Sequence, residues 1–204
     1  MPDKNGMRIG AIILAGGRSE RMGQPKDSLP FAGDTLLGRA VATLARCSER
    51  LVVVARGPEQ ELGSLPAGVP RIDDARPGQG PLGGLATGLR WLRGTPGWSD
   101  ADAAFVTACD QPFVDERAVR WLFDRLGDAD LVMPRAAGIL QPLCAVYRLS
   151  VLPFAERLLA TGTVTPRSRA AAAGARVLEE AELRAFDPTL RFLQDVDTPD
   201  DLRR

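Results

Sequence analysis

The sequence predicts an α/β protein built on a doubly wound, mostly parallel sheet, and three observations carry that prediction. Short apolar runs recur at 9–14 (IGAIIL), 51–55 (LVVVA) and 103–108 (AAFVTA). Each has strand length and is apolar at every position, as in a sheet covered on both faces. The segments between them show helical periodicity, and strands alternating with helices give parallel strands joined by right-handed crossovers. The chain has 204 residues, enough for one domain that buries about 70% of its unfolded surface without a disulfide or metal.

Taken in order, residues 9–14 form the first strand. Asp34 or Thr35 caps a helix with Leu36, Leu37, Ala40, Val41, Leu44 and Ala45 on one face. Residues 51–55 form a second strand and 69–72 a short third. Residues 82–92 read as a helix despite Gly83, Gly84 and Gly88. Residues 103–108 are another buried strand, 115–126 an amphipathic helix, and 131–133 and 143–147 two more strands. Residues 151–159 read as a helix interrupted by Pro153, 176–178 and 191–193 as strands, and 198–202 as a final helical turn. Residues 135–141 and 161–174 read as surface insertions near the rim of a site. No repeat, low-complexity tract or domain boundary stands out, so residues 1–204 read as a single domain.

Composition excludes several classes of function. The 26 basic and 26 acidic residues balance, so no global charge favours nucleic acid or a membrane surface. Histidine is absent, which removes Ser-His triads, Cys-His dyads and His-ligated metals. Cys47, Cys109 and Cys144 form no CxxC pair, and an odd count argues against a disulfide framework. They read as small apolar core residues. No apolar run reaches membrane-spanning length, and residues 1–8 lack a signal-peptide core, so a cytoplasmic protein is expected.

The richest local signal is LAGGRSERMGQPK at 14–26. A glycine turn after a buried strand turns backbone N–H groups toward a ligand. Arg18, Arg21 and Lys26 follow within ten residues, and amides with cations suit a polyphosphate. It is not a P-loop, because no Lys-Ser/Thr stands at the required offset from Gly17 or Gly23. The later GQGPLG (78–83) matches GxGxxG, but it follows a weak strand and Pro81 removes an amide in its middle. Asp110, where the strand 103–108 ends, is placed to hold Mg²⁺ against phosphates, since magnesium takes one or two protein carboxylates with waters and phosphate oxygens. Asp115 fits better than Asp110 as the cap of the next helix. Asp74, or its neighbour Asp73, reads equally as a second functional carboxylate or as a turn former. The glycines from Gly80 onward imply a close approach to the backbone, either by a ligand or by the sheet. Asp195, in a tail of alternating acids, is a further metal candidate.

Together these segments resemble the nucleotidyltransferase family that includes the molybdenum cofactor guanylyltransferases. The matching stretches are LAGGRSERMGQPK (14–26), GPLGGL (80–85), CDQPF (109–113), QPLCAVYR (141–148) and DVDTPDDL (195–202), in the family's order over nearly the whole chain. The resemblance implies a Rossmann-like fold of the nucleotide-diphospho-sugar transferase type. It implies Mg²⁺-dependent transfer of GMP from GTP to the terminal phosphate of molybdenum-bearing molybdopterin, forming the guanine dinucleotide cofactor and releasing pyrophosphate. Nucleotide binding would fall to Leu14, Ala15, Gly16, Gly17, Lys26, Asp74, Gly80 and Asp110. Lys26, Arg21 and Asp110 would be catalytic, with Asp110 the metal ligand. Molybdenum-insertion and molybdoenzyme-maturation proteins would be partners. LAGG rather than LAAG at 14–17 favours guanine over cytosine. The alternatives are a cytidylyl enzyme, a sugar- or alditol-phosphate transferase, and a nucleotide-binding regulatory module without turnover. Three positions depart from the pattern: Arg56 replaces a nucleotide-binding asparagine, Gln141 replaces a histidine and cannot titrate, and Asp27-Ser28 replaces an apolar pair.

Overall fold

A computed structural model describes residues 6–16, 26–161, 174–196 and 201. The main strands are β1 (Ile9–Leu14), β4 (Arg50–Ala55), β5 (Arg71–Asp73), β6 (Ala103–Ala108), β7 (Leu131–Ala136), β9 (Cys144–Arg148) and β10 (Ala175–Leu178). They lie in the order β10-β7-β9-β6-β1-β4-β5, and only β9 runs antiparallel to its neighbours. A short β8 (Ile139–Leu140) folds back on β7 as a hairpin, and β2 (Pro30–Phe31) with β3 (Asp34–Thr35) forms a small separate ribbon.

The helices are α1 (Leu36–Ala45), α2 (Pro81–Arg93), α3 (Glu116–Phe123), α4 (Leu152–Thr161) and α5 (Glu180–Phe186). Why the strands are apolar throughout is now visible. Ala11 and Ile13 of β1 face a core layer shared with Leu37 and Val41 of α1, Val119 and Leu122 of α3, and Leu183 of α5. Ile12 and Leu14, one residue out of phase, face a second layer with Leu85 and Leu89 of α2 and Ala155 and Leu159 of α4. Alternate side chains point to opposite faces, so a strand with helices on both sides has no polar face.

The caps follow the sequence reading. Thr35 accepts a hydrogen bond from Gly38 N–H and starts α1, and Asp115 does the same for α3 through Ala118 N–H. Three readings are corrected. Pro153 does not interrupt α4 but sits in its first turn, where no helical N–H is lost. The third strand starts at Arg71 rather than residue 69, because Pro70 gives its carbonyl to Val53 N–H but has no N–H of its own. Residues 191–193 form a 3₁₀ turn, not a strand. The Asp187 carboxylate collects the N–H groups of Thr189, Arg191 and Phe192, so these amides are satisfied locally. Although burial opposes it, the carboxyl is held below its ordinary range by the Thr189 hydroxyl and those N–H donors. Helix α5 escaped notice because only Leu183 of its seven residues is buried. The expected final turn at 198–202 lies outside the described residues except for Asp201.

All three cysteines are free, two of them buried. Among the described residues no helix is long and apolar enough to cross a membrane.

Candidate active site

The strand order reverses at β1. The chain moves from β1 to β4 and β5 on one side, then crosses to β6 on the other. Ligands of open α/β sheets bind beyond the carboxyl ends of the strands at such a point. A cleft of about 580 Å³ lies there. Its walls carry, strand by strand, Asp74 after β5, Arg56 after β4, Leu14 and Gly16 from β1, and Asp110 and Gln111 after β6. The lead-in to β9 adds Gln141, Pro142 and Leu143, and Gly78, Gly80, Pro81 and Gly84 come from the start of α2.

Of the residues expected from sequence, Leu14, Gly16, Asp74, Gly80 and Asp110 are therefore together in one cleft. Ala15 is not on its wall. Its side chain is buried, its N–H donates to Val54 and its carbonyl accepts from Gln60, so both backbone groups are already used. Gly17, Arg18 and Arg21 lie outside the described residues, and Lys26 opens the 3₁₀ turn Lys26–Ser28.

Gly16 has a steric reason to be glycine. A Cβ there would lie 3.2 Å from Arg56 Cα and 3.3 Å from its N, both unable to swing away. The loop after β1 is thus pressed against the end of β4. Gln60, 7% exposed, holds this junction. Its Oε1 accepts from Arg56 N–H at 2.7 Å, and its Nε2 donates to Ala15 O at 2.8 Å and to Asp27 Oδ2 at 2.6 Å. One buried amide therefore ties β1, β4 and the turn carrying Lys26. Asp27 Oδ1 is buried with no hydrogen-bond partner among the described residues. Nothing in the sequence marks Gln60, because its partners lie 4, 33 and 45 residues away.

The two readings of Asp74 are both partly right. Its Oδ1 accepts from Arg76 N–H and from the Thr87 hydroxyl, as a turn former does. Thr87 Oγ1 also accepts from Ala75 N–H, fixing the carboxylate's orientation. Yet Asp74 lines the cleft. Asp73 stays in β5, exposed, and pairs with Arg71.

Glycines before α2 and within it have different roles. Gly78 and Gly80, with φ of 87° and 67°, shape the turn that aims the helix N-terminus at the cleft. Gly84 and Gly88 serve packing: a Cβ would lie 3.1 Å from Leu14 Cδ2 and 2.5 Å from Ile12 Cγ2. Close helix–sheet contact, rather than a flat base, accounts for those two.

Asp110 is positioned twice from outside its own strand. Cys109 N–H donates to Leu14 O, and Asp110 O accepts from Val196 N–H at 2.8 Å. The second bond brings the tail to the end of β6, so Asp195 enters the cleft with Asp110. Asp195 also raises the pKa of Cys144, although the thiol's complete burial is the larger cause. The donor set suits a magnesium ion carried by a nucleotide: two carboxylates in a cleft open to phosphate oxygens and water. Among the described residues no group of three acidic, cysteine or histidine side chains could hold an ion unaided.

On the far rim, Arg135 pairs with Glu179 at 2.8 Å. Glu180 accepts from Ala137 N–H, which with Arg184 holds its carboxyl below the ordinary range. These bonds pin the β7–β8 hairpin, and hence Gln141, to α5.

Residues 11–180 match the MobA-like NTP transferase domain. A probable molybdenum cofactor guanylyltransferase of Chloroflexus aggregans is 38% identical over 97% of this chain and 93% of its own length. The molybdenum cofactor guanylyltransferase of Rhodobacter capsulatus is 33% identical over 97% and 95%. Among solved structures, molybdopterin-guanine dinucleotide biosynthesis protein A from Archaeoglobus fulgidus superposes with a TM-score of 0.76 at 26% identity, covering 96% of this chain and 95% of that one. The 4-diphosphocytidyl-2C-methyl-D-erythritol synthase of Anaerococcus prevotii shares the fold at 12% identity, with a TM-score of 0.67 over 98% and 94%. A doubly wound sheet with this cleft at its switch point, a domain match over most of the chain and relatives matched nearly end to end agree: the chain belongs to the MobA-like NTP transferase family.

Proposed function

We propose that the protein transfers GMP from GTP to the terminal phosphate of molybdenum-bearing molybdopterin, as the names of its relatives suggest. The observation that carries the reading is the meeting of Asp110 and Asp195 in the cleft that also holds Gly16 and Asp74. An acceptor phosphate oxygen forms a bond to the α-phosphorus of GTP, the α–β phosphoanhydride bond breaks, and pyrophosphate leaves. The attacking oxygen is already anionic at neutral pH, so the chain needs positioning and charge neutralisation rather than a strong base. The absence of histidine and the presence of Gln141, which cannot titrate, are consistent with that.

Asp110 and Asp195 would hold Mg²⁺, which supplies positive charge to the α-phosphate and the departing pyrophosphate. Gly16 lets the loop after β1 lie against the end of β4 on the cleft wall. Lys26 would neutralise the reacting phosphate, and Arg21 or Arg18 the outer phosphates. The N-terminus of α2 adds a favourable dipole for bound anionic groups. Gln141, Pro142 and Leu143 stand on the opposite side of Asp110 from Arg56, where the acceptor would enter.

The test is pyrophosphate release with molybdopterin and Mg²⁺, supplied with GTP, CTP, ATP or UTP in turn. Release with GTP and little with the others is expected. Release with CTP alone would overturn the guanylyl assignment, and no release with any of the four would favour a binding module.

A further inference from the structure

Asp27 follows Lys26 in the 3₁₀ turn Lys26–Ser28 and is only 4% exposed. Burying an ionised carboxylate is unfavourable unless donors meet it. Among the described residues its side chain has one donor. Gln60 Nε2 lies 2.6 Å from Oδ2, while Oδ1 is buried with no partner. The mechanism proposed above uses neither Asp27 nor Gln60, and Gln60 does not line the cleft.

Gln60 can serve Asp27 because its own amide is locked. Oε1 accepts from Arg56 N–H, so Nε2 is the end left for Ala15 O and Asp27. The other end of the turn is held by apolar contacts. Leu29 and Phe31 join Leu36 and Val196 in a small core apart from the two main layers, with Phe113 packed against it. Leu29 O accepts from Leu36 N–H, and Val196 N–H donates to Asp110 O. The stretch 26–31 therefore runs between Gln60 and the Asp110 side of the cleft. With Leu29 anchored, the place of Lys26 turns on whether Asp27 stays buried. Without the Gln60 amide the buried carboxylate would have no donor among the described residues. Its way back to water is to turn outward, taking the backbone of Lys26 with it.

We propose that Gln60 is a positioning residue for the transfer reaction. By satisfying the buried Asp27 carboxylate it fixes the turn that carries Lys26, and so sets Lys26 for the reacting phosphate. This inference rests on the guanylyl-transfer reading above.

The experiment compares wild type with Gln60→Met, which keeps the bulk and removes the amide, and with Gln60→Met/Asp27→Ala, Lys26→Ala and Gln60→Met/Lys26→Ala. Pyrophosphate release with GTP, molybdopterin and Mg²⁺ gives kcat, equilibrium binding gives GTP affinity, and hydrogen exchange shows which backbone segments open. Gln60→Met should lower kcat about 10–100-fold, the scale of a misplacement passed on from outside the site, with a smaller change in GTP affinity. Exchange should rise over residues 26–31 and stay unchanged in β6 and β9. Removing the acid as well should restore most of kcat, because replacing both partners of a buried pair by apolar groups leaves the turn with nothing unsatisfied. In the Lys26→Ala background Gln60→Met should lower kcat little further, since both changes act through one group.

No recovery on adding Asp27→Ala would mean that Gln60 acts through Ala15 and Arg56 alone. An equal loss of kcat with and without Lys26 would mean that it does not act through Lys26. A rise in exchange across the whole sheet would make Gln60 a support of the fold. Each of these results overturns the proposal while wild type still releases pyrophosphate from GTP, so guanylyl transfer stands. A wild type that releases none overturns guanylyl transfer and this inference with it.

Discussion

The cleft has two sides divided by β1, and they differ in charge and in construction. On the β4–β5 side, Arg56 and Asp74 sit on neighbouring parallel strands, one cation beside one carboxylate, with the Asp74 carboxylate braced by Thr87 of α2. On the β6 side two carboxylates, Asp110 and Asp195, face the cleft with no cation among the described lining residues. There the antiparallel β9 enters and the C-terminal tail docks through Val196 on Asp110. The first side is built from neighbouring parallel strands and carries mixed charge. The second is built from distant segments and concentrates negative charge, which suits a metal ion. A strand order that reverses once gives one cleft two walls of different chemistry.

The largest effect should come from the metal side. Asp110→Asn should keep the fold and the GTP preference but slow pyrophosphate release about 10²–10³-fold, the range for loss of a preorganised electrostatic group. Normal turnover in that variant would collapse the contrast between the walls. Gly88→Ala probes the shared support beneath β1. The new Cβ would lie 2.5 Å from Ile12 Cγ2, and Ile12 is fully buried. Overpacking of this kind costs about 1–3 kcal/mol, against a helix-propensity gain of about 1 kcal/mol. Urea unfolding should show a net loss, and a gain in stability would mean that α2 is not packed closely on β1. Asp195→Asn should raise the Mg²⁺ concentration for half-maximal activity about 10-fold, comparable to losing a group that orients a metal ligand. An unchanged Mg²⁺ curve would assign the tail to acceptor binding instead.

The smallest effect belongs to a thiol away from both walls. Burial, then the charge of Glu116, pushes Cys47 from 9.0 up to about 11. The folded state keeps this proton while the unfolded chain releases it, so the contribution is intact below pH 9 and is lost as pH rises toward 11. Thermal unfolding from pH 8 to 11 should fall more gently in Cys47→Ala than in wild type. Parallel curves would show that the thiol does not titrate with folding.

How much of this could be read from the chain differs between the walls. Strands 9–14, 51–55 and 103–108 were legible because covered strands must be apolar on both faces, and that constraint is local. Asp110 was legible for the same reason, since it directly follows such a strand. Arg56 drew notice only as a departure from a pattern, with no sign that it would be the one cation among the described residues on the cleft wall. The interrupted helix at Pro153 and the strand at 191–193 misled for a shared reason: whether an amide needs a partner depends on where it sits. Pro153 falls in a first turn, and the amides of residues 191 and 192 are taken by Asp187.

By itself, the sequence determined the alternation of strands and helices, the glycine loop and the strand-end carboxylate Asp110, and narrowed a second carboxylate to Asp73 or Asp74, because periodicity and strand ends are properties of neighbours along the chain. Only the tertiary structure decided that Gln60 joins Ala15, Arg56 and Asp27, that Asp195 meets Asp110, and that Arg56 stands beside Asp74. Those pairings depend on strand order and register across the sheet, set by how the two core layers pack rather than by any short stretch of residues.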